Sequence, residues 1–357
     1  MSRKFQKRTL LVQKSKNSQL RRWGLLALTL VAVFYCFLFF WPVIPNTPNS
    51  NEANAFKVKI NPQSSLASIG GQLKQQGILV NAFTLPIAAR SFFVGAKLKP
   101  GTYLFPLGGS LGKLLLQMAR GDRVRESIAI IPGMTIRQLQ AIIDSHPALI
   151  HQTKGLSSKE LLQALNLSYP GDEGLFFPDT YIFDPDEADI TIYRRASQAM
   201  QKQLSYAWQQ RDPMTPLKTP YELLILASII EKETGKNSDR AMVAAVFVNR
   251  LSKGMMLQTD PTVIYGLGPN FDGNLRKSDL RRDNPYNTYM HKGLPPTPIA
   301  MPSQDSLMAT AHPANSDVLY FVARGDGTSH FSKTLNEHEL AVDRFQRKHT
   351  STSKPQQ

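Results

Sequence analysis

Two glutamates, Glu231 and Glu233, close a predicted helix whose preceding stretch, Leu223 to Ile230, is almost wholly apolar. A carboxyl at that place is disfavoured as an anion twice. Burial penalises the charged form, and the negative end of the helix dipole acts in the same direction. Such a group holds its proton closer to neutral pH than free glutamic acid does, as a general acid must. The pair is two residues apart, so the side chains point about 200° from each other on a helix of 3.6 residues per turn. They cannot serve one bound atom together. One of them faces a site, and the other makes structural bonds, to Arg250 or to a backbone amide. Periodicity does not say which: Glu233 lies above Ile229 and Ile230, Glu231 above Ala227. The competing reading is that both are solvated charges at a fraying end.

The sequence delimits the helix. Thr219-Pro220-Tyr221-Glu222 reads as a capping box with proline at the first helical position. Gly235 is expected to end the helix in a left-handed conformation. A second helix is expected over Ser238 to Leu251, stopped by Gly254. A strand-like run, Leu257 to Tyr265, then carries Gln258, Thr259, Asp260, Thr262 and Tyr265. In an extended segment Gln258, Asp260 and Thr262 share one face. Amides, hydroxyls and a tyrosine ring suit a sugar, with hydrogen bonds at its rim and an apolar ring face. The alternative is a hairpin edge turning at Asp260-Pro261. Tyr286, Asn287 and Tyr289 admit the same two uses, since aromatic loop residues either stack on sugars or cover a core.

The remaining chain is organised around this region. Residues 1–22 form a basic tail, 23–44 a transmembrane helix, 45–55 a linker rich in Pro, Asn and Ser, and 348–357 a disordered polar tail. Residues 56–126 are expected to be a small α+β domain: the strand FKVKI, a helix from Ser64 to Gln76, another from Asn81 to Arg90, the strand GTYLF after a Lys99-Pro100-Gly101 turn, and a helix from Ser110 to Ala119. Residues 127–347 read as a larger mixed α+β domain. Its expected elements are a strand near Ile128, helices at Thr135–Ile143, Leu156–Leu165 and Ile190–Trp208, a short strand in GLFFPDTYIF, and a strand at Leu319–Val322. Gly325-Asp326-Gly327 is a hairpin turn, not a phosphate loop.

The chain of 357 residues has a net charge of +15, and eight of its 42 basic residues, with none of its 27 acidic ones, lie in residues 1–22. That block precedes the uncharged run Trp23 to Trp41, which is long enough to span a bilayer core of roughly 30 Å with its flanks. Tryptophans at its ends sit at interface depth, and the basic block places the N-terminus on the cytoplasmic side. A nucleic-acid role therefore has no support. A cleaved signal peptide is disfavoured because Ala53-Asn54-Ala55 lies too far beyond the apolar run. The single cysteine, Cys36, excludes an intrachain disulfide and any zinc site built on cysteine pairs. His330 and His338 are eight apart with no H-E-x-x-H, so no metal is expected. No G-x-S-x-G and no nucleotide fingerprint occur.

The segment ASIIEKETG…VFVNRL…GMMLQTDPTVIYGLG resembles the endolytic murein transglycosylases, the YceG-like family. The resemblance continues through GLFFPDTYIF, YNTY…GLPP, PIA and AHPA…LYFVARGDGTSHFSKTLNEH, and covers Ile128 to Arg344. Several motifs in order are far more specific than any one. Residues 56–126 look like the family's LysM-like domain, and 127–347 like its catalytic domain. The resemblance implies that Glu233, the second glutamate of E-K-E-T, is catalytic and Glu231 supporting. Gln258, Thr259, Asp260, Thr262, Tyr265, Tyr286, Asn287 and Tyr289 are then substrate-binding. It implies cleavage between N-acetylmuramic acid and N-acetylglucosamine in peptidoglycan strands, without a cofactor, leaving a 1,6-anhydro end and terminating strand elongation. It also implies a bacterial inner-membrane location, a periplasmic catalytic body, and glycan polymerases or penicillin-binding proteins as partners. A non-catalytic wall-binding scaffold and a hydrolytic muramidase are the alternatives. Two positions depart from the family pattern: Thr297 stands where a glycine commonly follows Gly293-Leu294-Pro295-Pro296, and Met301-Pro302-Ser303 replaces Asn-Pro-Gly.

Overall fold

A computed structural model of the chain describes residues 21–37, 39–50, 54–80 and 83–347. Most of the expected basic tail, part of the expected linker and the expected disordered tail at 348–357 lie outside them. The chain is mixed α+β and divides into two compact units between Glu126 and Ser127.

In the first unit, residues 21–37 form helix α1, with large apolar side chains such as Trp23, Leu25, Leu28 and Leu30 exposed. Among the described residues no helix is long and apolar enough to cross a membrane. The expected span of 23–44 runs too far. Val43 and Ile44 are buried in the core of this unit, and their amides donate to the Gly109 carbonyl. The order that follows is strand β1 (Ala55–Ile60), helices α2 (Leu66–Gln75) and α3 (Thr84–Ser91), strand β2 (Gly101–Pro106) and helix α4 (Leu111–Arg120). β1 and β2 are antiparallel, with Val58 opposite Tyr103. The alternation of FKVKI buries Phe56, Val58 and Ile60, as a half-covered strand requires. Ser65 caps α2, and Gly121, at a φ of 80°, ends α4.

The second unit continues with strand β3 (Glu126–Ala129), helix α5 (Ile136–Ser145), strand β4 (Leu149–Ile150), helix α6 (Ser158–Leu165), strands β5 (Thr180–Phe183) and β6 (Glu187–Ala188), and helix α7 (Asp189–Gln210). Then come helices α8 (Pro220–Glu233), α9 (Asn237–Ser252), α10 (Asp260–Leu267) and α11 (Gln304–Ala311), strands β7 (Tyr320–Ala323) and β8 (Ser329–Ser332), and helix α12 (Leu335–Val342). The sheets are pairs: β3 with β5, β4 with β6, β7 with β8. The hairpin β7–β8 turns through Gly325 and Gly327, both at positive φ.

α8 is the central rod. Every residue from Leu223 to Ile230 is buried, and α7, α9, α10 and α11 pack around it. A helix apolar on all sides is stable only when so enclosed. Its one polar core residue, Ser228, is satisfied: the hydroxyl donates to the Ile225 carbonyl at 2.7 Å and accepts from the Ile299 amide at 3.0 Å.

Both ends of α8 differ in detail from expectation. Thr219 accepts from the Glu222 amide, but the Glu222 carboxylate takes the Lys218 amide instead of the Thr219 amide, so the capping box is half formed. At the other end Thr234, in extended conformation, stops the helix, while Gly235 is not among the positive-φ glycines. The larger difference lies at 257–265. This run is an extended entry followed by α10, not a strand or hairpin edge. Pro261 has the fixed φ and missing N–H suited to a first helical turn, and Asp260 beside it complements the dipole.

Candidate active site

α8 delivers Glu231 and Glu233 to opposite sides, as its period requires. Glu231 is tied into the fold. One carboxylate oxygen accepts from the Ser303 amide at 2.8 Å, from the Ser303 hydroxyl and from the Ser306 hydroxyl at 2.7 Å. The other lies 3.5 Å from the Arg240 guanidinium. Its cationic partner is Arg240 on α9, not Arg250. Ser303, one of the two departures from the family pattern, caps α11 and so joins that helix to α8.

Glu233 faces a cleft of about 380 Å³. It is lined by Arg250, Leu257, Gln258, Asp260 and Tyr289, and by Tyr320, Phe321, Leu335 and His338 from β7 and α12. The Thr259 hydroxyl donates to the Glu233 carboxylate. Burial pushes the Glu233 carboxyl up to about 7, against the Thr259 hydrogen bond and the Arg250 charge, with Asp260 adding to the rise. Desolvation is the largest of these effects, so the group is an acid poised near neutrality.

Arg250 comes from the last turn of α9. Its Nε donates to the Leu319 carbonyl at 2.7 Å and its Nη1 to the Leu257 carbonyl at 2.9 Å. The guanidinium lies 5.1 Å from the centre of the Tyr320 ring. One arginine thus joins α9, the entry to α10 and β7 beside Glu233. From the sequence, Arg250 is expected only as a partner for the structural member of the Glu231 and Glu233 pair. Its signal was a lone cation after the apolar VFVN stretch.

Thr288 is a second residue that reading passed over. Its carbonyl accepts from the Gln258 amide at 3.1 Å. Its hydroxyl accepts from the Thr259 amide at 3.1 Å and lies 2.9 Å from the Thr262 hydroxyl. These bonds hold Gln258 at a φ of 51°, a left-handed conformation that costs an ordinary residue roughly 1–2 kcal/mol.

The sequence-predicted residues separate into three groups. Gln258, Asp260 and Tyr289 line the cleft with Glu233, and the Tyr289 hydroxyl donates to Asp260 at 2.6 Å. Thr259, Thr262 and Asn287 are buried. Thr259 touches Glu233 from beneath, and Thr262 donates back to the Thr259 carbonyl at 2.8 Å. Asn287 donates to the carbonyls of Leu280 at 3.1 Å and Arg282 at 2.8 Å, shaping a loop instead of facing the cleft. Tyr265 and Tyr286 pair with ring centres 4.9 Å apart and stand outside the cleft lining. The helical form of 260–267 explains the split: Asp260 and Thr262 point apart, one to the cleft and one to the core. Tyr265 instead hydrogen-bonds Glu173, a buried carboxyl that burial raises to about 7 although the amides of Ile136 and Gly174 also reach it. Tyr286 is 2.8 Å from the Thr297 hydroxyl, so the second departure from the family pattern supplies a bond.

A half-buried acid at the end of an enclosed helix, facing a cleft lined by polar and aromatic side chains, defines a class of site suited to carbohydrate. Residues 58–344 match the YceG-like family, and the chain belongs to that family. It is 44% identical over 183 residues to the endolytic murein transglycosylase of Bacillus subtilis, a match covering 50% of this chain and 49% of the relative. It is 27% identical over 329 residues to the endolytic murein transglycosylase of Streptococcus pneumoniae R6, covering 82% of this chain and 59% of that protein. The chain thus spans between half and three-fifths of the length of these relatives. A crystal structure of a YceG-like protein from Listeria monocytogenes is 31% identical, with a TM-score of 0.51, and the match covers 80% of this chain and 98% of that one.

Proposed function

We propose that this chain is a lytic transglycosylase that cuts peptidoglycan strands between N-acetylmuramic acid and N-acetylglucosamine. The observation that carries the reading is the Glu233 carboxyl, raised to about 7 by burial at the mouth of a polar cleft. The names of the two curated relatives support the same activity.

The chemistry follows from one carboxyl changing roles. Protonated Glu233 gives its hydrogen to the bridging oxygen, the bond from C1 to that oxygen breaks, and the electron pair leaves with the N-acetylglucosamine hydroxyl. The muramyl C1 is left with oxocarbenium character. The sugar's own C6 hydroxyl, already held near C1, adds there. Its proton passes to the Glu233 carboxylate, which restores the acid. No water is consumed, and the product end is a 1,6-anhydro ring. Asp260, exposed in the same cleft and oriented by Tyr289, supplies negative charge for the cationic stage. Gln258 and Tyr289 face the sugars, and Thr259 sets the Glu233 rotamer. Two carboxyls in one cleft are also what a hydrolytic muramidase would use, and the product separates the two.

The basic block before the apolar stretch and the exposed apolar side chains of α1 support anchorage in a bacterial inner membrane, the body lying outside. There the enzyme would meet nascent strands beside the glycan polymerases and penicillin-binding proteins that make them, and would end their elongation. The first unit is assigned to glycan binding as a LysM-like module.

Glu233→Gln tests the reading. The variant protein should bind un-crosslinked strands and release no anhydro-ended fragments. Undiminished release would refute the role of Glu233.

A further inference from the structure

The part of the cleft lining that comes from β7 and α12 has no role in the chemistry above. Tyr320, Leu335 and His338 belong to it. Leu335 and His338 are three apart on α12 and so share a face of that helix. The His338 ring is stacked on Tyr320 with centres 5.3 Å apart and planes 23° apart, and Arg250 reaches the same tyrosine. The imidazole is thereby fixed in orientation. Its Nδ1 is buried with no hydrogen-bond partner among the described residues.

An orphaned N–H in that position would cost more than an orphaned lone pair, because unpaired buried donors are the rarer and less tolerated case. The neutral ring therefore carries its proton on Nε2. Burial, with Arg250 nearby, holds the imidazole below its usual range, which favours the neutral form. Leu335 is 54% exposed. Its side chain lines the cleft and is open to a ligand there.

An N–H donor and an exposed apolar group one helical turn apart match an acetamido substituent, with its carbonyl acceptor and its methyl. We propose that Tyr320, Leu335 and His338 form a subsite that recognises the N-acetyl group of a sugar in the bound strand. His338 donates to the acetamido carbonyl, Leu335 packs on the methyl, and Tyr320 positions the imidazole. The assignment rests on the reading of the cleft as a glycan site. It adds that the enzyme discriminates N-acetylated strands from de-N-acetylated ones.

The experiment uses the full-length Glu233→Gln protein in detergent, which does not consume its ligand. Calorimetric titration compares un-crosslinked peptidoglycan strands with the same strands after enzymatic de-N-acetylation. The expected result is tighter binding of the acetylated form. Adding His338→Ala should weaken that binding about tenfold, the worth of roughly one hydrogen bond, and remove the preference. Leu335→Ser, at an exposed position that folding does not depend on, should reduce the preference with the melting temperature unchanged. Equal affinity for both strands in the parent, or an unchanged preference in both variants, overturns the subsite while leaving the glycan reading intact. No binding of either strand by the parent overturns the glycan reading and the subsite together.

Discussion

Glu233 and Glu231 are chemically identical neighbours with opposite fates, and the difference is what each oxygen meets. Glu231 receives two hydroxyls, an amide and a guanidinium, which tie it into the fold. Glu233 receives one hydroxyl and is half-buried in the cleft. Glu231→Ala should therefore act on folding: it removes one of the two carboxylates beside the buried Arg240, Asp305 being the other, and leaves the Ser303 amide unpaired, a cost of about 1–3 kcal/mol, read as a lower denaturation midpoint. Glu233 should act on rate. As pH rises through about 7 its acid form is lost, so kcat/KM should fall about tenfold per unit above that point. Glu173 offers a separate check. Its folded pKa of about 7 lies above the ordinary 4.5, so the native state binds more protons than the unfolded one between those values. Stability therefore falls as pH rises across that window, by on the order of 3 kcal/mol in total. Glu173→Gln should remove about half of the dependence in denaturant titrations at pH 5 and pH 8, Glu233 supplying the rest.

At the scale of elements, the site is two segments clipped together. The entry to α10 carries Gln258, Thr259 and Asp260, and the 286–289 loop holds it through Thr288. Thr288→Val would leave the Thr259 amide buried and unpaired, a cost of about 1–3 kcal/mol, and would release the Thr259 hydroxyl from its aim at Glu233. Thermal melting and turnover should fall together, with KM changing less than kcat. A second clip is Gly266, where an added Cβ would come within 2.7 Å of Asn284 Oδ1. α8 was legible in the sequence because its signals are local: Thr219 and Pro220 at one end, an unbroken apolar run, and paired acids at the other. The 257–265 run reads wrongly as extended because its polar stretch, Gln258 to Asp260, is too short to choose between periods. Pro261, which in the alternative reading turns a hairpin, opens a helix. Arg250, Tyr320 and His338 reach the cleft from elements far apart in the chain. No spacing rule brings such residues together, so this part of the lining was invisible before the fold.

For the whole molecule, the two units have separate cores, and the first absorbs Val43 and Ile44. If the stretch before Pro42 serves only as an anchor, removing it should leave the melting temperature of the body unchanged and abolish partition into lipid vesicles. Retained partition would place the membrane affinity elsewhere. The reaction itself is best tested by the fate of water, since one protonated carboxyl and the sugar's own hydroxyl suffice for a lytic cut. Un-crosslinked strands should be digested by the full chain in water enriched with heavy oxygen, and the new muramyl ends weighed. The account predicts anhydro ends free of the label. Reducing ends carrying heavy oxygen at C1 would contradict it.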